Sequence, residues 1–270
     1  MPDKKKIVEH YDAQYSGFAT ELYSAIRQEV FGIDYGQNGW QTVDEQDRIL
    51  DWLKLDGSCR LLDVACGSGG PAMRIAESTL CAVTGIDINE KAIREAVSAS
   101  ARKSLDDRAK FRLVDGSTKL PFEDSTFDAL TCIDAVNHLP DRSAAFSEWH
   151  RVLGPGGRLA VTDPIVITGP VTDEEMRIRS SIGFFIFVPP NEDERLLVEA
   201  GFRIESVDDV TGNMASIADK WKKARAGRER QLREIEGNET FDGQQTFFEM
   251  AARLAAERRL SRLLILAERP

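Results

Sequence analysis

The sequence predicts an α/β protein built on a parallel, doubly wound sheet. Short apolar runs recur at 60–64, 81–87, 110–114, 127–133 and 158–162, and segments of helical period separate them. The first run passes directly through glycines into a helix, and the next three each end on an acid, Asp87, Asp115 and Asp134. Right-handed crossovers place every loop that follows a strand on one edge of such a sheet, where open α/β sheets bind ligands.

In chain order, residues 7–55 read as helical. Val8, Tyr11, Tyr15, Phe18, Leu22 and Ile26 recur at helical spacing, a break falls at Gly32–Gly39, and Val43, Ile49, Leu50 and Leu53 form the apolar side of a second helix that stops at Asp56-Gly57. Arg60–Val64 is the first strand. Pro71–Ser78 is a helix with proline in its first turn, and Cys81–Asp87 is the second strand. Asn89 caps a helix that runs to about Lys103. Lys110–Val114 and Phe127–Ile133 are the third and fourth strands. A helix at Ser143–Leu153 buries Phe146, Trp149 and Leu153, Gly154-Pro-Gly-Gly157 breaks it, and Arg158–Thr162 is the fifth strand. Residues 164–190 carry Pro164, Gly169-Pro170 and the apolar run Phe184–Val188, which either lines an apolar pocket or forms core beneath a cap. Glu192–Ala200 reads as a helix and Phe202–Val207 as a strand. Charged helical stretches at 214–235 and 244–259 suit a solvated cap or a dimer surface, and Leu263–Ala267 closes the chain as a strand.

Composition narrows the partners. The 270 residues carry a formal net charge of −10, which repels phosphate backbones and anionic membranes, so neither nucleic acid nor a membrane is an expected partner. No run approaches the roughly 18 apolar residues of a membrane span. Cys59, Cys66, Cys81 and Cys132 show no C-x-x-C spacing and read as free thiols of a reducing compartment. No apolar stretch follows the N-terminal Met-Pro-Asp-Lys-Lys-Lys, so it does not read as a signal peptide and a cytoplasmic location is expected.

The segment Asp63-Val-Ala-Cys-Gly-Ser-Gly-Gly70 joins the first strand to its helix. Gly67 and Gly69 allow positive φ and close approach of a ligand to the backbone, and amides at the helix start can bind a carboxylate or phosphate. By itself the loop is also compatible with a plain tight turn or, through Ala65-x-Gly67-x-x-Gly70, with a dinucleotide fingerprint. Asp87 lies where a carboxylate can accept two ribose hydroxyls. Asp115, before Gly116, can accept from an adenine amino group, and Asp134 can receive the ammonium of an amino-acid cofactor. Each of these acids also has a plain structural reading as a turn or helix-preceding residue.

Together these segments resemble the class I S-adenosylmethionine-dependent methyltransferases. Asp63-Val-Ala-Cys-Gly-Ser-Gly is similar to their motif I, Gly85-Ile-Asp87 to their post-I acid, and Leu120-Pro-Phe-Glu-Asp-Ser-Thr-Phe-Asp128 to the approach to their fourth strand. Leu153-Gly-Pro-Gly-Gly-Arg-Leu159 resembles their turn into strand five, and Ala200-Gly-Phe202 their entry into a final antiparallel hairpin. The similarity covers roughly residues 45–210 and the last strand. It implies a Rossmann-like, seven-stranded, mostly parallel sheet with an antiparallel last strand, a helical N-terminal lid at 1–44, and a methyltransferase domain at 45–270 with insertions at about 164–190 and 213–259. It implies S-adenosylmethionine as cofactor, S-adenosylhomocysteine as product, and a small-molecule methyl acceptor of the ubiquinone/sarcosine type of enzyme. Asp63 and the amides around Gly67 and Gly69 then hold the methionine moiety, Asp87 the ribose, Ile88 the adenine face, Asp115 and Gly116 its edge, and Asp134 or its backbone the methionine end. One departure is Ala65, where the family has glycine; alanine is expected to rule out a backbone conformation reserved for glycine.

For transfer chemistry, His138 follows strand four and is the candidate base or substrate-orienting group. His10 and His150 read better as structural. Tyr11, with Tyr15, belongs to the expected lid, and Gln41, between Trp40 and Thr42, is a candidate cofactor contact. Asp134 and Asp163 offer too few oxygen ligands for a metal site, so none is expected. An NAD(P)-dependent oxidoreductase and a non-catalytic cofactor-binding protein of the same fold remain as alternatives; Asp115 and the terminal strand argue against the first.

Overall fold

The computed structural model describes residues 20–270. Tyr11, Tyr15 and His10 lie outside the described residues. Among the described residues two helices, α1 (Glu21–Phe31) and α2 (Val43–Leu53), precede the sheet, each opened by a threonine whose hydroxyl accepts a backbone N–H of the first turn, Thr20 from Tyr23 and Thr42 from Glu45. The alternating core follows: β1 (Arg60–Val64), α3 (Gly70–Thr79), β2 (Ala82–Asp87), α4 (Glu90–Arg102), β3 (Ala109–Leu113), β4 (Phe127–Cys132), α5 (Arg142–Val152) and β5 (Leu153–Ile167). The predicted caps are in place: Pro71 stands in the first turn of α3, and the Asn89 side chain accepts the Ala92 N–H.

The sheet order is β3-β2-β1-β4-β5-β7-β6, with β6 (Arg203–Asp209) and β7 (Leu260–Glu268) at one edge. β7 runs antiparallel to both neighbours, and the other pairs are parallel. Strand periodicity sends alternate residues to opposite faces. Leu62, Val64 and Leu130 pack with Phe146 and Trp149 on one face. Leu61, Val83 and Ala129 pack with Met73, Ile75 and Ile93 on the other. This two-sided burial is why the strands read as near-continuous apolar runs.

Three regions differ from the sequence reading. β5 includes the Gly154–Gly157 segment and runs on past Thr162 to Ile167. Its partner β7 pairs with it from Arg158 to Ile167, and a register shift between Asp163 and Val166 accommodates Pro164, which has no N–H for the ladder. Second, a short helix, α6 (Asp173–Arg179), stands inside the 164–190 insertion, before α7 (Glu192–Glu199). A capping box of Thr172 and Glu175 starts α6. Third, the charged stretches form α8 (Thr211–Ala226), α9 (Glu229–Glu236) and α10 (Asn238–Ala256), divided around Gly227 and at Gly237, whose φ is +83°. These helices are not merely a solvated cap. Met214, Ile217, Trp221, Phe241 and Phe247 bury their side chains against Ile26 and Val30 of α1 and against Trp40. Among the described residues no helix is long and apolar enough to cross a membrane.

Candidate functional site

One cleft of about 270 Å³ opens between the C-terminal ends of β1, β2 and β4 and the layer built from Trp40, α8 and α10. Most of the residues singled out in the sequence line it.

At the end of β1, the Asp63 carboxylate is buried and accepts the Thr131 hydroxyl at 2.8 Å. Burial pushes its pKa up to about 7; the Thr131 bond opposes the rise and the nearby Asp87 charge adds to it. Ala65 follows with φ +58°, in the small left-handed region that an L-residue can adopt, so the turn does not call for a conformation reserved for glycine there. That conformation is costly for alanine yet open to it, at about 1–2 kcal/mol. Gly67 (φ +55°) and Gly69 (φ +76°) complete the turn. Glycine is required at 69, where a Cβ would lie 2.5 Å from the Phe111 ring, and at 70, where it would lie 2.3 Å from the Tyr35 carbonyl oxygen.

The acid after β2 is tied to this loop. Asp87 accepts the Gly67 N–H at 2.9 Å and the Asn89 N–H at 2.8 Å. Burial raises its pKa, against the pull of those amides. Ile88 is 38% exposed and forms an apolar part of the cleft wall. Beyond β3, Asp115 accepts from the Ser117 N–H (2.9 Å) and hydroxyl (2.6 Å), and Gly116 leaves no room for a side chain, since a Cβ would fall 2.7 Å from Val64. Both line the cleft.

Asp134 lines the cleft as well, but its carboxylate is committed elsewhere. It accepts from Arg262 Nε (2.6 Å), Arg262 Nη2 (3.3 Å), the Thr162 hydroxyl (3.0 Å) and the Trp40 N–H (2.9 Å). The expectation that this side chain receives an ammonium is corrected accordingly, although the residue itself lines the cleft. Arg262 is fully buried and also reaches Glu45 at 2.7 Å. Burial works against its charge, and Asp134 and Glu45 outweigh that and hold its pKa above the ordinary value. Through Asp134 this cluster fixes the segment carrying Trp40 and Gln41, which is braced at its other end by Asp34 accepting from Arg27 (2.7 Å) and from the Gly36 N–H (2.9 Å). Gln41 is buried and lines the cleft beside Trp40.

His138 closes a short 3₁₀ turn, Val136–His138, and also lines the cleft. Its Nδ1 lies 2.7 Å from the Phe184 carbonyl oxygen, which can only accept, so Nδ1 carries the proton. Nε2 is then an acceptor, 3.4 Å from the Asn137 amide nitrogen. Burial pushes the His138 pKa down to about 4. The imidazole is thus favoured in its neutral form, with Nε2 as its accepting atom. His150 packs edge-on against Phe202. Asp163 is bound to Arg142, which also holds Asp193 and donates to the Ile186 carbonyl.

The apolar run 184–188 divides its roles. Phe185 lines the cleft, Phe187 packs on the cluster of Met250, Leu254 and Leu260, and Val188 bridges Val166. Sequence reasoning missed the other cleft residues of the insertion and of the α8–α10 helices. Arg179, at the end of α6, is 1% exposed, and its guanidinium lies 5.5, 5.4 and 5.0 Å from the ring centres of Trp40, Phe185 and Phe247. Trp221 and Phe248 stack at 5.7 Å, and Gln244 is buried beside them. The Thr172-x-x-Glu175 box was the available signal for α6, and the Phe247-Phe248 pair within a charged helix the signal for an inward face.

The strand order and the antiparallel β7 are those of the class I S-adenosylmethionine-dependent methyltransferase fold. Residues 62–161 match the family model described as a methyltransferase domain, and the chain resembles the class I S-adenosylmethionine-dependent methyltransferases. It is 36% identical over 168 residues to 27-O-demethylrifamycin SV methyltransferase of Amycolatopsis mediterranei, an alignment covering 61% of each chain. It is 34% identical over 176 residues to a sterol 24-C-methyltransferase of Gibberella zeae, covering 63% of this chain and 46% of that one. The chain thus spans roughly half to three-fifths of the length of these curated relatives. Among solved structures, the cyclopropane synthase MmaA2 of Mycobacterium tuberculosis matches with a TM-score of 0.80 at 18% identity, covering 99% of this chain and 98% of that one. The [4+2]-cyclase SpnF matches with a TM-score of 0.76 at 24% identity, covering 97% and 96%. These two likenesses show the fold alone.

Proposed function

We propose that this chain transfers the methyl group of S-adenosylmethionine to a small-molecule acceptor. The observation that carries the reading is the convergence of Asp63, Ala65, Gly67, Asp87, Ile88 and Asp115 on one cleft that continues into a chamber walled by aromatic rings. The residues fit such a donor: the glycine cradle leaves no space for side chains at Gly69 and Gly70, and the buried Asp63 and half-buried Asp87 carboxylates stand beside it.

In this reading Asp63 and the backbone at Gly67 and Gly69 hold the methionine moiety, Asp87 accepts the ribose hydroxyls, Ile88 covers the adenine face, and Asp115 with Gly116 meets its edge. Gln41 and the Asp134 backbone close the methionine end. When bound, the donor supplies an electrophilic methyl group on a sulfonium whose departure as a neutral thioether needs no acid. The chain's part is positioning, bringing the acceptor atom within about 3–3.5 Å of that carbon, and exclusion of water by the Trp40, α8 and α10 layer. Neutral His138 orients the acceptor by accepting a hydrogen bond at Nε2. Two relatives are named for a sterol and for 27-O-demethylrifamycin SV as acceptors, which supports a small molecule here. We assign residues 1–44 to a lid over the cofactor, a role supported by the Gly36–Gln41 segment on the cleft wall. The four free cysteines, three of them buried, support a cytoplasmic location.

Isothermal titration with S-adenosylmethionine and, separately, with NAD tests the reading. The methyl donor is expected to bind and NAD to give no heat. Binding of NAD without binding of the methyl donor would sink it.

A further inference from the structure

The inward stripe of α10 contains one residue that packing alone does not explain. Phe241, Gln244, Phe247, Phe248 and Ala251 recur at spacings of three and four residues, which puts them on one side of the helix. Phe241, Phe247 and Ala251 are buried in the apolar cluster that includes Ile26, Val30 and Trp40. Gln244 stands in the middle of the stripe and is only 6% exposed. A leucine would satisfy the packing there. A carboxamide instead brings two N–H donors and an accepting oxygen into apolar surroundings, and these are costly to bury unless they are met.

The chain does not meet them. Among the described residues the Gln244 side chain makes no hydrogen bond, and both of its polar atoms stay accessible in a residue that lines the cleft. Its neighbours in sequence and in the cleft differ. Gln245 donates to the Lys222 carbonyl at 3.1 Å. Gln46 donates to the Pro71 carbonyl and accepts from Arg74. Thr131 and Ser117 donate to Asp63 and Asp115. Flat faces surround Gln244: Trp221 stacks on Phe248 at 5.7 Å, and Trp40 on Phe247 at 6.0 Å. An apolar, ring-bearing molecule fits such walls, and inside them the carboxamide offers it a hydrogen bond.

Resting on the methyl-transfer reading above, we propose that Gln244 is a specificity-determining residue of the acceptor chamber, where it hydrogen-bonds an uncharged oxygen, a hydroxyl or carbonyl, on an otherwise apolar, ring-bearing acceptor. Oε1 accepts from a hydroxyl, and Nε2 donates to either group. The carboxamide carries no charge, so it suits a neutral partner. An analogue without that oxygen strips the carboxamide of water and leaves it unpaired, which is how buried polar groups discriminate between otherwise similar ligands. Gln244 belongs to α10 and not to the strand ends assigned to the donor, so it acts on the choice of acceptor alone.

The test uses 2-naphthol and 2-methylnaphthalene, two flat probes of similar shape, titrated by their ring fluorescence into the full chain saturated with S-adenosylhomocysteine. The measurements are made near pH 7, where 2-naphthol, like other phenols, is uncharged. The wild-type chain is expected to bind 2-naphthol the more tightly, although 2-methylnaphthalene is the more apolar. Gln244→Leu is expected to shift the ratio of the two dissociation constants by at least about tenfold toward 2-methylnaphthalene, with S-adenosylhomocysteine affinity unchanged. A merely structural role for Gln244 would move both probes alike and leave the ratio where it was, which overturns the proposal. Tighter binding of 2-methylnaphthalene by the wild type, or binding of neither probe, overturns it as well, and the wild-type comparison decides this even where the Leu variant does not fold. Failure of S-adenosylhomocysteine to bind would instead strike the methyl-transfer reading, and is measured separately.

Discussion

Replacing Arg262 with methionine is expected to destabilise the fold and to loosen the cofactor cleft together. The guanidinium is fully buried, meets Glu45 at 2.7 Å and Asp134 at 2.6 Å, and both partner side chains are less than a tenth exposed. Methionine fills much of the volume but leaves two buried carboxylates without their counter-ion. Asp134 would retain the Trp40 N–H and the Thr162 hydroxyl, and Glu45 would retain the Asn213 amide at 2.8 Å, so the loss is partly cushioned. Breaking a buried ion pair from one side costs about 3–5 kcal/mol, a large fraction of the 5–15 kcal/mol that holds a typical domain, so roughly. For a chain of this size that corresponds to a fall in Tm on the order of 10 °C. Urea and thermal unfolding measure the loss. A S-adenosylhomocysteine titration measures the second effect, since Asp134 holds the Trp40 backbone at the cleft wall. The triple change Arg262→Met, Glu45→Gln and Asp134→Asn should recover much of the stability, because it removes the uncompensated charges. A loss below about 1 kcal/mol for the single change, the size of an exposed pair, would refute the reasoning.

Two further perturbations concern titration. Asp63 has its pKa raised to about 7, so if it meets the cofactor ammonium it must ionise on binding. Titrations of S-adenosylmethionine at pH 6 in two buffers of different ionisation enthalpy should then report release of about one proton, fading by pH 8 and absent in Asp63→Asn; identical heats in both buffers would remove Asp63 from that role. Asp193 shares Arg142 with Asp163, and burial and the Asp163 charge raise its pKa from 3.8 to about 8. Only the folded state holds the proton within that window, so its stabilising contribution is full below about pH 4, shrinks as pH rises, and is gone above about 8. Urea midpoints across this range should fall less steeply in Asp193→Asn than in the wild type, and parallel slopes would count against a proton held on Asp193 in the folded state.

The parts of the molecule that were legible in the sequence are those whose cause is local. Leu61, Leu62 and Val64 are buried on both faces of a parallel sheet and so read as an unbroken apolar run, and Pro71 and Asn89 mark their helices by short-range chemistry. The resemblance supplied the antiparallel edge and the roles around the glycine turn. What stayed hidden depends on distant pairing. β5 is long because β7, some hundred residues later, pairs along it. Arg262 and Asp134 are 128 residues apart, and nothing near either announces that the second neutralises the first. Arg179 and the residues of α10 look like a solvated charged surface in sequence, since charge alone does not say which helix face turns inward. The left-handed turn at Ala65 was hidden for a related reason: the surrounding loop imposes it, and nothing in the residue itself announces it.

The most direct test of the cofactor cleft is the dissociation constant of S-adenosylhomocysteine for the wild-type chain and for Asp87→Ala, with urea unfolding run in parallel to separate binding from folding. Asp87 accepts the Gly67 N–H and is the acid we assign to the ribose hydroxyls. We expect the wild type to bind and the variant to lose at least about tenfold in affinity while remaining folded. A folded Asp87→Ala variant that binds S-adenosylhomocysteine with near wild-type affinity would contradict the assignment of this cleft.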